Sequence, residues 1–250
     1  MPSTVRGLED VVVGATRLSR VDGEAGRLVI GGFPIEELAP AASYEEVLFL
    51  LWHDRLPSRS DLAGLREEMA GLRTLSDGTL AALRAAAGAR LDPMDALRIG
   101  VSTLPLANPE LGRVELHREP ALANRARALA IVAALPVLVA AYHRLCHGRE
   151  PIAADPRLGH AASFLWLLGG ARAHAARVRA LETYLNTAID HGMNASTFAG
   201  RVIVSTRSDL VSAVTGAVGV KAASGLIHQR RVYFLEICAP DVAVPVLSAR

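Results

Sequence analysis

Cysteine is nearly absent from this 250-residue chain, which holds only Cys146 and Cys238. Two thiols cannot build a disulfide framework, and their scarcity fits a reducing, cytoplasmic setting. Aromatic residues are scarce as well, at 4% of the sequence, so little of any core is built from rings. An excess of one charge is also missing. The formal net charge is +2, from 27 basic and 25 acidic residues, and no basic run is interleaved with aromatics. That pattern argues against nucleic acid as a partner. Met1 to Arg6 lack the basic and apolar regions of a signal peptide. The longest apolar run, Ala128 to Tyr142, is too short to cross a bilayer and carries Pro136, so it reads as a kinked helix buried in protein, with no membrane partner. There is no Walker loop, no G-x-G-x-x-G after a strand and no G-x-S-x-G elbow, so phosphate cradling and acyl-serine chemistry of those kinds find no support.

What is abundant is alanine and leucine. Hydrophobic residues reach 51%, an alphabet of helix formers with small side chains. The chain therefore reads as all-α. One β-hairpin is predicted, Thr16 to Val21 and Arg27 to Ile30 around the turn Asp22-Gly23-Glu24-Ala25-Gly26. Helices are then predicted from Phe33, from Tyr44 to His53 with Ser43 and Glu46 as a capping box, and from Ser60 or Asp61. An alanine-rich helix to about Ala87 follows, then one opened by Asp92-Pro93 and running to about Ser102. Residues 105–120 hold three prolines and read as a loop with at most one short turn. Further helices are predicted over Ala121–His147, His160–Leu168 and Ala173–Ile189, with Gly169-Gly170 as a break. Ser205 to Gly219 reads as a small-residue helix capped at Ser208-Asp209.

Two places carry candidate chemistry. His143, Cys146 and His147 fall within about one helical turn, but no third or fourth ligand follows at a telling spacing, so a solvated helix end is favoured and no metal is assigned. The second place is Thr183 to Gly219. There Asp190-His191 ends a helical pattern and is followed by Gly192-Met193-Asn194-Ala195-Ser196-Thr197. Gly192 tolerates positive φ, and Asn194, Ser196 and Thr197 suit a helix start whose N–H groups can face an anion. A histidine beside such a start can bind a carboxylate or carbonyl oxygen, or can simply cap a helix end.

The segment D-H-G-M-N-A-S-T resembles the oxaloacetate-binding region of the citrate synthase family. Further blocks resemble the same family in the same order, among them Gly7 to Val13, Val21 to Leu28, Tyr44 to Val47 with Leu51-Trp52-His53, Glu150 to Ala153 and His160 to Leu165. The resemblance covers roughly residues 5–219. It implies a citrate synthase-like large helical domain over residues 1–219. It also implies condensation of acetyl-CoA, or another short acyl-CoA such as propionyl-CoA, with oxaloacetate, as in the tricarboxylic acid cycle. No cofactor is implied, since acetyl-CoA is a substrate. His191 and Asn194 would hold oxaloacetate, the histidine donating to the carbonyl on which charge develops. Asp190 would orient His191 or cap the helix, the second being preferred. A homodimer through the Ser205–Gly219 region is implied as well.

Beyond Gly219 the resemblance fades, and residues 220–250 read as a diverged tail in place of most of a small domain. The family's P-x-H-G-G-x-N and G-H-R-V-Y segments have no full counterpart there. His228 is the candidate for the catalytic histidine. It lies two residues beyond the place of the first motif's histidine or, with Arg231-Val232-Tyr233 taken as R-V-Y, two residues early. Val232 to Cys238 is β-prone. The 250-residue chain is accordingly expected to be weakly active or inactive. The alternative is a non-catalytic helical module that dimerises with a full-length paralogue or binds dicarboxylates.

Overall fold

The computed structural model describes residues 16–113, 121–190, 192 and 194–223, the side chains of 121–123 and 221–223 excepted. The predicted hairpin forms as β1 (Ser19–Asp22) and β2 (Arg27–Ile30), antiparallel with Ser19 opposite Ile30 and Asp22 opposite Arg27. Phe33–Pro34, expected to open a helix, instead forms a two-residue β3 against β2. Gly31 and Gly32, at φ of 54° and 89°, turn the chain back at once, and the pairing follows from that reversal.

The rest is helical among the described residues: α1 (Ile35–Ala41), α2 (Tyr44–His53), α3 (Arg59–Gly71), α4 (Asp77–Gly88), α5 (Pro93–Ser102), α6 (Ala121–Cys146), α7 (His160–Gly169), α8 (Ala175–Ala188), α9 (Ala195–Ser205) and α10 (Leu210–Ala223). At the start of α2 the Glu46 carboxylate accepts the Ser43 N–H at 2.7 Å, as its capping position predicts. Asp92 Oδ1 accepts the Met94 N–H at 2.9 Å, with Pro93 as the first residue of α5. Three boundaries differ from expectation. Helix α3 starts at Arg59, one or two residues before Ser60 or Asp61, because Ser58 caps it and Asp61 accepts the Ser58 N–H at 2.9 Å. Leu104–Leu106 and Pro109–Gly112 form two 3-10 turns where at most one was expected. Ser205 ends α9, and α10 begins only at Leu210, where Asp209 accepts the Ser212 N–H.

Helix α6 is the hub. Its residues Ile131, Ala134 and Leu138 pack with Leu83, Ala96 and Val101 from α4 and α5. Val137 and Ala140 meet Phe164 and Leu167 of α7, and Leu129 meets Phe49, Leu65 and Met69 of α2 and α3. Contact on several sides explains why the helix is apolar all round, and its alanines let neighbours approach closely. The apolar stretch is longer than the sequence suggested. Asn124–Cys146 is long and apolar enough to cross a membrane by length and composition, yet it lies at the centre of these packed clusters. The chain also continues as helix through Pro136.

Beneath this core lies a buried polar group. Glu45 is fully buried, and its Oε1 accepts the His160 N–H at 2.7 Å. Arg73, also buried, donates from Nη1 to the Leu158 carbonyl at 2.6 Å. The His160 ring stacks on Tyr44 with centroids 4.2 Å apart. Burial, with the Arg73 charge second, pushes His160 down to about 3, so its ring is neutral.

Candidate functional site

Helix α8 positions the D-H-G-M-N turn, and it is fastened at depth. Asn186 is fully buried and donates from Nδ2 to the Ala39 and Ala42 carbonyls at 3.3 and 2.8 Å. Arg179, two turns earlier, donates to the same two carbonyls at 3.1 and 2.5 Å. These four bonds satisfy two carbonyls at the C-terminal end of α1, those of Ala39 and its C-cap Ala42, and fix where α8 points. Ile189, just past its last turn, packs with Leu18 and Leu28 of the hairpin region against Ile30, Val47 and Leu50.

The turn itself is shaped by Asp190 and Gly192. Asp190 Oδ1 accepts the Gly192 N–H at 2.9 Å, a local side-chain-to-backbone closure, while Gly192 sits at φ 90°. The same oxygen accepts the Ser19 hydroxyl at 2.7 Å. Asp190 therefore holds a turn and ties it to β1. Ser19 was not among the residues singled out from sequence. It stands 171 positions away from Asp190, and no local pattern marks it.

Asn194 follows as the N-cap of α9, its side-chain oxygen accepting the Thr197 N–H at 2.8 Å. Its amide oxygen is thus committed to the helix, and only its NH2 group is left to donate to a ligand. The Thr197 N–H, which the sequence suggested as free for an anion, is already bonded. Asn194, Ser196, Thr197 and Arg201 line one side of a groove of about 600 Å³ between α9 and α10, with Ala213, Val214 and Ala217 opposite. Arg201 supplies a cation there that sequence reasoning missed, and it stands two turns into the helix that Asn194 caps.

His191 and His228 both lie outside the described residues, as does the β-prone stretch Val232 to Cys238. His191 is bracketed by the clasped Asp190 and Gly192. At the other candidate, His147 Nδ1 lies 2.8 Å from the His143 carbonyl, one turn below it on α6. Among the described residues no cluster of three metal-ligating side chains forms.

Comparison with known proteins bears on the family and the fold. The family model described as "Citrate synthase, C-terminal domain" matches residues 7–231. Citrate synthase of Haloferax volcanii is 42% identical over 224 residues, covering 89% of this chain and 58% of that protein. A 2-methylcitrate synthase of Mycobacterium tuberculosis is 38% identical over 227 residues, covering 91% and 55%. Among solved structures, the ternary complex of citrate synthase from Thermoplasma acidophilum with carboxymethyl coenzyme A and oxaloacetate superposes with a TM-score of 0.75 at 26% identity, over 85% of this chain and 54% of that one. The chain thus spans little more than half the length of the relatives it matches. The family match runs over nearly the whole chain, and with the helical fold it establishes that this chain belongs to the citrate synthase family.

Proposed function

We propose that this chain provides the oxaloacetate-binding part of a citrate or 2-methylcitrate synthase-type acyltransferase. The observation that carries the reading is the Asp190–Asn194 turn, closed by Asp190 onto Gly192 and capped by Asn194 at the start of α9. In the reaction this implies, a base removes a proton from the carbon next to the thioester of acetyl-CoA or propionyl-CoA. The resulting enol attacks the ketone carbon of oxaloacetate, and water then cleaves the new thioester and releases CoA. His191 donates to the ketone oxygen as it gains negative charge, which is where a fixed donor lowers the barrier. The Asn194 NH2 group supplies a second donor. Cationic side chains have to balance the two carboxylates, and Arg201 is one that the groove already holds. His228 remains the candidate for the catalytic histidine. The sequence after Gly219 carries no P-x-H-G-G-x-N, so turnover by the 250-residue chain is expected to be weak.

Titration calorimetry with oxaloacetate tests the reading. The chain should bind oxaloacetate, and His191→Ala should weaken binding by about 10- to 100-fold, the loss of one hydrogen bond to a charged ligand. No heat of binding in the unaltered chain would remove the proposal. Thiol release from acetyl-CoA at an ordinary enzyme rate, about 1–10³ per second, would remove the expectation of weak turnover.

A homodimer through α9 and α10 is the second part of the reading. No residue of α9 is buried within its own chain, and Val202 is 46% exposed. Helix α10 is mostly apolar, with Ser212 and Thr215 as the polar residues of Leu210–Val220, yet in that stretch only Val211 and Ala213 are buried. A helix of that composition ordinarily has a partner on every side. Sedimentation of the chain as a dimer is the expected result, and a monomer at micromolar concentration would count against it.

A further inference from the structure

We infer that Ser19, on the first strand of the hairpin, is a positioning residue for the dicarboxylate turn, acting by holding Asp190. The inference rests on the reading of that turn as an oxaloacetate site. Ser19 Oγ donates to Asp190 Oδ1 at 2.7 Å, and the same oxygen accepts the Gly192 N–H at 2.9 Å. One carboxylate oxygen thus joins a strand near the chain's beginning to a backbone amide directly after His191. The geometry needs this second anchor. Gly192 lies at φ 90°, a conformation that glycine enters and leaves freely, so from within the turn only the Asp190 carboxylate holds it closed, and that carboxylate must itself be held. Packing brings the two partners together, since Ile189 buries against the hairpin cluster with Leu18 and Leu28. The Val21 side chain stands beside Gly192, where a Cβ on the glycine would meet Val21 Cγ2 at 3.7 Å. Apolar contact therefore sets the approach, and the hydroxyl selects the orientation of the carboxylate.

A residue of this kind touches no substrate. It works by lowering the ordering cost that a ligand must otherwise meet when it binds a loose turn. Ser19→Ala removes the donor and about one heavy atom from a half-buried site, while Ser19→Thr keeps the hydroxyl on a strand that tolerates β-branching.

The experiment measures two things on the full chain, the oxaloacetate dissociation constant and the exchange rate of the Gly192 amide proton with solvent. In Ser19→Ala the constant should rise about 3- to 10-fold and Gly192 exchange should quicken by a similar factor. Ser19→Thr should restore both. Asp190→Ala combined with Ser19→Ala should weaken binding no more than Asp190→Ala alone, because alanine at 190 removes the shared acceptor and the two residues act as a unit. A role confined to stability would lower the melting temperature and leave affinity, measured well below it, unchanged. Unchanged affinity with unchanged Gly192 exchange in Ser19→Ala overturns the inference. Failure of the unaltered chain to bind oxaloacetate falls on the functional reading instead, and Gly192 exchange then still decides whether Ser19 holds the turn.

Discussion

Glu45→Ala is expected to lower the unfolding free energy by about 3–5 kcal/mol, the range for removing one partner of a buried charged group. Glu45 is fully buried, and three groups depend on it. Its Oε1 accepts the His160 N–H, one of the open donors at the start of α7. Arg66 approaches the same oxygen at 3.9 Å. Arg73, whose burial pushes its pKa down, is drawn back toward the charged form by Glu45. His160 cannot take over as a counter-charge or acceptor network, since it is held neutral and stacked on Tyr44. Alanine would leave the buried His160 N–H without its acceptor and the buried Arg73 guanidinium without its compensating charge. Glu45→Gln keeps an acceptor oxygen for the His160 N–H and should recover part of the loss. Urea unfolding of the two variants beside the parent checks both statements. A cost of Glu45→Ala below about 1 kcal/mol would mean that water or a neighbouring carbonyl satisfies these groups instead.

Much of the local structure was legible because short-range chemistry decides it. Ser43 with Glu46, Asp92 with Pro93 and the turn Asp22 to Gly26 each act within a few residues, and each forms where the sequence places it. Ser58 shows the limit of such reading. Ser58, Ser60 and Asp61 are all good caps, and the start of α3 is settled by the Asp61 carboxylate reaching back to the Ser58 N–H, a reciprocity that makes Ser58 the cap. Phe33–Pro34 shows another, since a two-residue strand has no periodicity to read and exists only because β2 is already beside it.

The site was legible through resemblance rather than through pattern. D-H-G-M-N-A-S-T points to the turn, but nothing within that stretch announces that Asp190 reaches a serine 171 residues earlier. Nor does it show that Asn186 and Arg179 converge on the same two carbonyls of α1. Long-range polar pairs of this kind have no signature in one sequence, because any of many serines or asparagines would serve equally well on composition. Asp190 closes a turn, as a cap would, and by doing so it fixes the backbone on either side of His191.

Gly31→Ala is expected to destabilise the fold by about 2–5 kcal/mol and to weaken oxaloacetate binding with it. Two separate costs combine. Gly31 lies at φ 54°, where an L-residue loses roughly 1–2 kcal/mol. A Cβ there would also come within 2.8 Å of both Cγ and Cδ2 of Leu50. Leu50 is 1% exposed and wedged among Ile30, Leu38 and Val47, so it cannot swing aside without disturbing that cluster. Overpacking of this kind adds about 1–3 kcal/mol. Gly32→Ala separates the two costs, because Gly32 lies at φ 89° with nothing within 4 Å of the added carbon, and it should show the backbone cost alone. The effect on binding follows from connectivity. The Gly31 N–H donates to the Leu18 carbonyl at 2.8 Å, one residue before Ser19, and any shift of the hairpin moves the hydroxyl that holds Asp190. Equal stabilities for Gly31→Ala and Gly32→Ala would show that Leu50 yields without cost. An unchanged oxaloacetate affinity in Gly31→Ala, measured where the variant is fully folded, would show that the hairpin and the turn are not mechanically coupled.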